Sequence, residues 1–268
     1  MPELPEVETV VCSLNKSLSG KVIKDINLFW SPILHNNTVN NLRKQLIGKK
    51  VSSVSRRAKY IFINIDDCIL AYHLRMTGKV YVSDDNQIPK HMHAIIKLNK
   101  GSLKFEDVRK FSRLYLIKNE NDLSQNLGIE PLSSDFTEEW LIENLSKRKK
   151  RIKHLLFEQA FIAGLGNIYI DEVLWESKLH PNKISCAISK IKARRLRNSI
   201  VNTLSKSIEH HGTSFRDFVF EGFRIGDYSS ELKVFGHEGK PCPRCLTKIK
   251  KIKVSSRGTH YCPRCQHL

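Results

Sequence analysis

The sequence predicts a multidomain α+β chain: a β-sandwich with flanking helices, then a helical domain, then a zinc-binding β-hairpin. Three observations carry that reading. Short β-rich runs separated by turn residues occupy residues 60–105. Beyond Pro131 the apolar spacing becomes helical. Finally, Cys242-Pro-Arg-Cys245 and Cys262-Pro-Arg-Cys265 form two C-x-x-C pairs with sixteen residues between them. A length of 268 residues suits about two domains at roughly 150 residues each, large enough to bury cores.

Glu6 to Leu18 opens the chain as an amphipathic helix. Tyr60 to Ile65 is β-rich and partly alternating, and Ile69 to Val82 reads as two extended runs broken near Thr77-Gly78. Ala94 to Phe105 reads as a hairpin turning at Asn99-Lys100-Gly101. Strands this short and this closely spaced predict a sandwich. In the second half Thr137 is an N-cap, followed by Glu138 and Glu139 and an apolar face of Trp140, Leu141 and Leu145. A second helix is expected over 151–161, stopped by Gly164-Leu165-Gly166. A third begins with Asn167 as its cap and ends before Pro181. A fourth covers 189–210, with Leu196, Ile200, Leu204 and Ile208 at i+4 spacing. Residues 212–230 mix glycines and aromatics without a clear period and read as a mobile loop.

The four paired cysteines, Cys242, Cys245, Cys262 and Cys265, fit one tetrahedral Zn²⁺ held by two knuckles. Because every ligand comes from the protein, the metal is structural. Lys248 to Val254 and His260-Tyr261 read as hairpin arms, with Arg257 at the tip. Cys12, Cys68 and Cys186 stand alone and are expected to be buried small hydrophobes.

Lys and Arg number 45 against 27 acids, a net charge of +18. No apolar run approaches the roughly 18 residues of a membrane span, and Glu3, Glu6 and Glu8 stand where a secretory signal needs a basic start. The expectation is a soluble, cytoplasmic metalloprotein with a polyanionic partner, nucleic acid or an acidic membrane surface. Six of the eight positions from Ser146 to Lys153 are basic, as are five of eight from Lys190 to Arg197. Gly239 to Leu268 contains no acid. One such run is as often a solvated helix face as a binding surface; three separated runs favour phosphate tracking. Gly164-Leu-Gly-Asn167, opening a helix after a basic one, adds a candidate phosphate site, or else an ordinary helical hairpin.

Met1-Pro-Glu-Leu-Pro-Glu-Val-Glu-Thr9 is unusual. A small residue after Met1 allows its removal, which leaves Pro2 as a secondary amine able to attack a sugar C1′, with Glu3 beside it to move protons. Read alone, the same stretch is an acidic helix start.

Together these segments resemble the bacterial formamidopyrimidine-DNA glycosylases over essentially the whole chain. The similarity lies in Pro2 to Thr9, Arg56-Arg-Ala-Lys-Tyr60, His73-Leu-Arg-Met-Thr-Gly78, Gly164-Leu-Gly-Asn-Ile-Tyr169 and Arg257-Gly-Thr259. It implies a catalytic sandwich over 1–130, a helix–two-turns–helix domain over 131–231 and a zinc finger over 232–268. It also implies a monomer that excises oxidised purines from double-stranded DNA and cleaves abasic sites. By the same resemblance Pro2 is the Schiff-base nucleophile and Glu3 the acid at the sugar. Lys59 donates a proton in β-elimination, and Arg257 grips phosphate and serves δ-elimination. Met76, Arg109 and Phe111 fill the space of the flipped nucleotide, while His91, Arg148 and Asn167 contact backbone phosphates. Read without the family, Met76 and Phe111 are core residues, Lys59 a surface lysine, and His91 with His93 a solvated face or a metal pair.

The chain departs from the family at Val10-Val-Cys-Ser13, at Ser112 and Leu246, where glycines are usual, and at Gly226-Asp-Tyr228. Two other readings stay open at this level. One is the sister endonuclease VIII type, which prefers oxidised pyrimidines; the other is a non-catalytic DNA-binding protein with a zinc ribbon.

Overall fold

The computed structural model describes residues 2–213 and 226–268. Most of the segment read above as a mobile loop lies outside them. Contacts divide the chain into two units, Met1–Gln125 with His211–Asp227, and Asn126–His210 with Tyr228–Leu268.

The first unit opens with α1 (Leu4–Leu18), two residues longer at its start than the periodicity suggests. Pro5 falls in the first turn, where its missing N–H has no helical partner to lose. Val7, Val10, Val11, Leu14 and Leu18 line one face and are buried in the main core. Each such side chain stabilises the packing by about 1.5–3 kcal/mol. The elements that follow are β1 (Ile23–Leu28), α2 (Val39–Leu46), β2 (Val51–Arg57), β3 (Tyr60–Ile65) and β4 (Cys68–His73). After them come β5 (Gly78–Ser83), β6 (Met92–Leu98), β7 (Ser102–Asp107), β8 (Arg113–Ile117) and α3 (Asn121–Ser124). Among the described residues they form two four-stranded sheets, ordered β1-β6-β7-β5 and β2-β3-β4-β8.

The sandwich is therefore present, with the β6–β7 hairpin and the β4/β5 break where the sequence suggested. Strand β4 is buried at all six positions because one face meets the main core and the other meets Phe62, Tyr115 and Ile117. Two-sided burial explains why β3 and β4 read as nearly continuous apolar runs. Strands β1, β2 and β8 escaped the sequence reading. The first two carry too many polar residues on their outer faces to show a strand signal alone.

In the second unit Thr137 caps α4 (Glu138–Ser146), accepting from the Trp140 amide. The next helix, α5 (Ile152–Phe157), is shorter than the expected 151–161. Its continuation is replaced by two turns, held by Gln159, whose side chain accepts from Gly164 N and donates to Leu165 O. Helix α6 (Asn167–Glu176) follows, and α7 (Lys190–Glu209) is capped by Ser189. Leu196, Ile200 and Leu204 are buried as their spacing predicted. Strands β9 (Lys250–Val254) and β10 (Arg257–Tyr261) make the terminal hairpin. Its turn is Ser255-Ser256, both left-handed, which suits a two-residue hairpin. Arg257 is thus the first residue of β10, paired with Val254, rather than the tip itself. No helix among the described residues is long and apolar enough to cross a membrane.

Candidate active site and nucleic-acid interface

In the first unit the N-terminus is built by a capping arrangement. Glu3 is the N-cap of α1 and Glu6 its N3 residue; the Glu6 carboxylate accepts the Glu3 amide at 2.8 Å. The other Glu6 oxygen accepts from Thr213 N at 2.8 Å and Thr213 Oγ1 at 2.9 Å. Pro2 is buried, and Glu3 and Lys59 are only 2% and 5% exposed. Lys59 sits in the two-residue turn between β2 and β3. Ala58 before it is left-handed, at a cost of about 1–2 kcal/mol. Arg56 holds that turn against α1, donating to Glu8 Oε2 at 2.6 Å and to Ala58 O at 2.9 Å.

Burial pulls the Lys59 pKa below the ordinary lysine range, and the nearby Glu3 and Glu6 carboxylates only partly oppose it. The surface-lysine reading is therefore excluded. A buried amine and two carboxylates beside Pro2 bring together groups that can take up and release protons.

The residues assigned to the extruded nucleotide lie on two loops of this unit. Met76 is 41% exposed and Phe111 46%, so neither is a core residue. The Arg109 guanidinium lies 5.0 Å from the centre of the Phe111 ring. His91 is half-buried just before β6. Nearby His93 is buried with its ring tilted against Trp30 at 4.7 Å, and the two histidines belong to no metal-like cluster among the described residues.

In the second unit the N-terminus of α6 meets the hairpin. Gly166, not Asn167, is the N-cap, so the capping role expected of Asn167 is corrected. The Asn167 amide instead donates to Gly258 O at 3.1 Å, next to Arg257. Lys153 also reaches that carbonyl at 3.4 Å and pairs at 2.5 Å with the buried Asp171, whose second oxygen accepts the His260 amide. His154 Nδ1 lies 3.0 Å from Ser255 Oγ at the turn. The exposed Arg257 lies 5.0 Å from the Phe157 ring centre. The carbonyl of Gly258 beside it is held by Asn167 and Lys153. Arg148 is half-buried; it folds back on Asn144 O at 2.8 Å and lies over Phe161.

The Sγ atoms of Cys242, Cys245, Cys262 and Cys265 all lie within 4.8 Å of one another. The Cys245–Cys262 separation is 3.4 Å and Cys242–Cys265 is 3.9 Å. Tetrahedral Zn–S bonds of about 2.3 Å set S···S distances near ~3.8 Å, so the four thiolates fit one structural zinc. Trp175 Nε1 donates to Cys242 Sγ at 3.4 Å, and Gln266 ties Cys262 N to Leu179 O. Leu246 after the first knuckle is left-handed, so this departure from glycine costs about 1–2 kcal/mol. Of the lone cysteines Cys68 is buried, but Cys12 and Cys186 are exposed, against expectation. Cys12 lies on the exposed face of α1, and Cys186 lies in a single short turn, Ser185–Ala187.

Sequence reasoning missed Glu6, Lys153 and Asp171. For Glu6 the signal was present, since a glutamate three residues after an N-cap is a capping box. For Lys153 the uniform basic run hid the one member that is buried.

Family models match most of the chain: the formamidopyrimidine-DNA glycosylase N-terminal domain over residues 1–114 and its H2TH domain over 127–219. A zinc finger found in FPG and IleRS matches 239–268. Formamidopyrimidine-DNA glycosylases of Desulforamulus reducens and Lactobacillus acidophilus are 42% and 41% identical, covering 99% of this chain and of each relative. Lactococcus lactis Fpg in complex with an abasic-site DNA is 40% identical with a TM-score of 0.93, covering 99% of this chain and 100% of that one. A variant of that protein bound to Fapy-dG DNA gives 40% and 0.94, with 100% of both chains covered. The chain belongs to the formamidopyrimidine-DNA glycosylase family.

Proposed function

We infer that Pro2 is the nucleophile of this enzyme. The chain is a DNA glycosylase of base excision repair that removes oxidised purines and cleaves abasic sites. The observation that carries the residue assignment is the joint burial of Pro2 and Glu3 at the start of α1 and of Lys59 in the β2–β3 turn, near enough to Glu3 to feel its charge. In this reading the Pro2 nitrogen attacks C1′, the bond to the base breaks, and Glu3 moves the proton that opens the sugar. Lys59 supplies a proton in β-elimination, and Arg257 holds the phosphate that leaves in δ-elimination. Residues 1–130 then carry the chemistry, while 131–231 and the finger, 232–268, grip the backbone through Arg148, Asn167 and Arg257. His91 adds a phosphate contact from the sandwich. Such a substrate belongs with the bacterial chromosome in the cytoplasm.

Borohydride trapping on duplexes carrying 8-oxoguanine, thymine glycol or no lesion tests the reading. A covalent adduct at residue 2, strongest with 8-oxoguanine, is the expected result. Preference for thymine glycol would favour the pyrimidine reading, a live comparison because one solved Lactococcus lactis relative holds an oxidised-pyrimidine DNA. No adduct on any duplex would leave only a binding protein.

Two further outcomes are expected. With a charge of +18, log affinity should fall steeply with log salt, and neutralising one phosphate-contacting base should reduce the slope by about one. A flat profile in a fluorescence-anisotropy titration would contradict phosphate neutralisation. Met76→Ala with Phe111→Ala should impair excision most from a fully stacked duplex and less where the lesion is already mispaired, since extrusion then costs less. Equal losses on both substrates would remove these residues from the wedge.

A further inference from the structure

Asp107 ends β7 and is 1% exposed. Its carboxylate gathers donors from both loops of the wedge. Oδ1 accepts from Thr77 Oγ1 at 2.5 Å and from Arg109 N at 3.1 Å. Oδ2 accepts from Phe111 N and Ser112 N, each at 2.7 Å. The Asp107 amide donates to His91 O at 3.1 Å, so the segment carrying the proposed phosphate contact joins the same point.

Beside these bonds the loop over 108–112 is held by the Lys110 amide, which donates to Asp107 O at 3.4 Å, and by the Arg113 guanidinium, which donates to Lys110 O at 3.2 Å and Ser112 O at 2.8 Å. Val108 and Phe111 are 60% and 46% exposed, and Lys110 is left-handed. The loop's three amide bonds to the Asp107 carboxylate go to a charged acceptor, and such bonds are stronger than bonds between neutral groups. Burial pushes the Asp107 pKa up, but Thr77 and the amides of Ser112, Arg109 and Phe111 outweigh it and hold the carboxyl below its usual range. The two loops also touch directly: a Cβ at Gly78 would lie 2.9 Å from Ser112 Cβ and 2.5 Å from Leu74 O. Gly78 keeps the Met76 turn close to the Phe111 loop.

We propose that Asp107 is the positioning residue of nucleotide extrusion, setting Met76, Arg109 and Phe111 at fixed spacing so that they enter the duplex as one unit. This rests on the wedge reading above. The charge is required by the donor count. Asparagine offers one acceptor oxygen, and its amide group would face either the Phe111 and Ser112 N–H groups or the Arg109 N–H.

The full-length enzyme with Asp107→Asn is compared with Thr77→Val, which leaves the carboxylate its three amides and uncouples only the Met76 turn. Each is assayed for 8-oxoguanine excision from a fully paired duplex and for cleavage at an abasic site in an unpaired bubble. A 2-aminopurine beside the lesion reports unstacking. Asp107→Asn should slow paired-duplex excision and the 2-aminopurine change about tenfold or more, while bubble cleavage falls no more than about twofold. Thr77→Val should give the same selectivity at smaller size. Added to Met76→Ala with Phe111→Ala, Asp107→Asn should cost no more than about twofold further, because the unit is already gone.

Equal losses on duplex and bubble would reduce Asp107 to a stability role and overturn the proposal, as would unimpaired duplex excision by both variants. If Asp107→Asn fails to fold, Thr77→Val decides on the same two substrates. Full duplex excision by the Met76→Ala, Phe111→Ala enzyme would overturn the wedge reading itself. An impaired wedge variant beside unaffected Asp107→Asn and Thr77→Val would overturn only the positioning role.

Discussion

Blocking the N-terminal nitrogen should abolish base excision and strand cleavage together while leaving duplex binding intact. If Pro2 is the nucleophile, its nitrogen must be an amine, mostly neutral and able to reach C1′. Retaining Met1 or adding an N-terminal tag turns that amine into an amide, which cannot form an imine. Pro2→Gly keeps a primary amine and should retain slow imine chemistry. Glu3→Gln preserves shape but removes the titrating proton, so excision should fall by about 10²–10⁴. Cleavage at a preformed abasic site should survive that change better, because its aldehyde can condense with Pro2 unaided. Full trapping by a blocked protein would move the nucleophile to another amine, Lys59 first, since it is buried in the same cluster with a lowered pKa.

Loss of zinc should disorder the terminal hairpin and lower DNA affinity at least ~tenfold at fixed salt, with the sandwich still folded. The cysteines share a core with Trp175, Val234 and Ile249. The main sandwich core, from Val7 to Leu116, includes none of these residues. Chelation or Cys245→Ser therefore removes the support of β9 and β10, and with it the backbone that carries Arg257. Metal content, circular dichroism and anisotropy on one sample check the sequence of events. Unchanged binding by verified metal-free protein would show that the hairpin holds without its metal. Helix α6 should also loosen at its end, because Trp175 and Leu179 are bonded to the knuckles.

The sequence by itself determined the chemical inventory and its order along the chain. Two cysteine pairs at ribbon spacing define a tetrahedral thiolate site wherever the hairpin lies, because each knuckle is closed by local backbone geometry. Thr137 caps a helix through a bond three residues long, and that cap was legible. Burial and long-range pairing were not legible in this way. Nothing local distinguishes the buried Lys59 from an exposed lysine, or the exposed Met76 and Phe111 from core residues. Asn167 looked like a cap because a cap is a local event, yet its amide reaches a carbonyl 91 residues away. Asp107 collects donors from two loops that only the sandwich brings together. The period of a segment specifies which face is apolar, but what that face meets depends on how the elements pack. Tertiary structure alone decided which charges are desolvated, which apolar side chains stay in water, and which carboxylate ties the loops together.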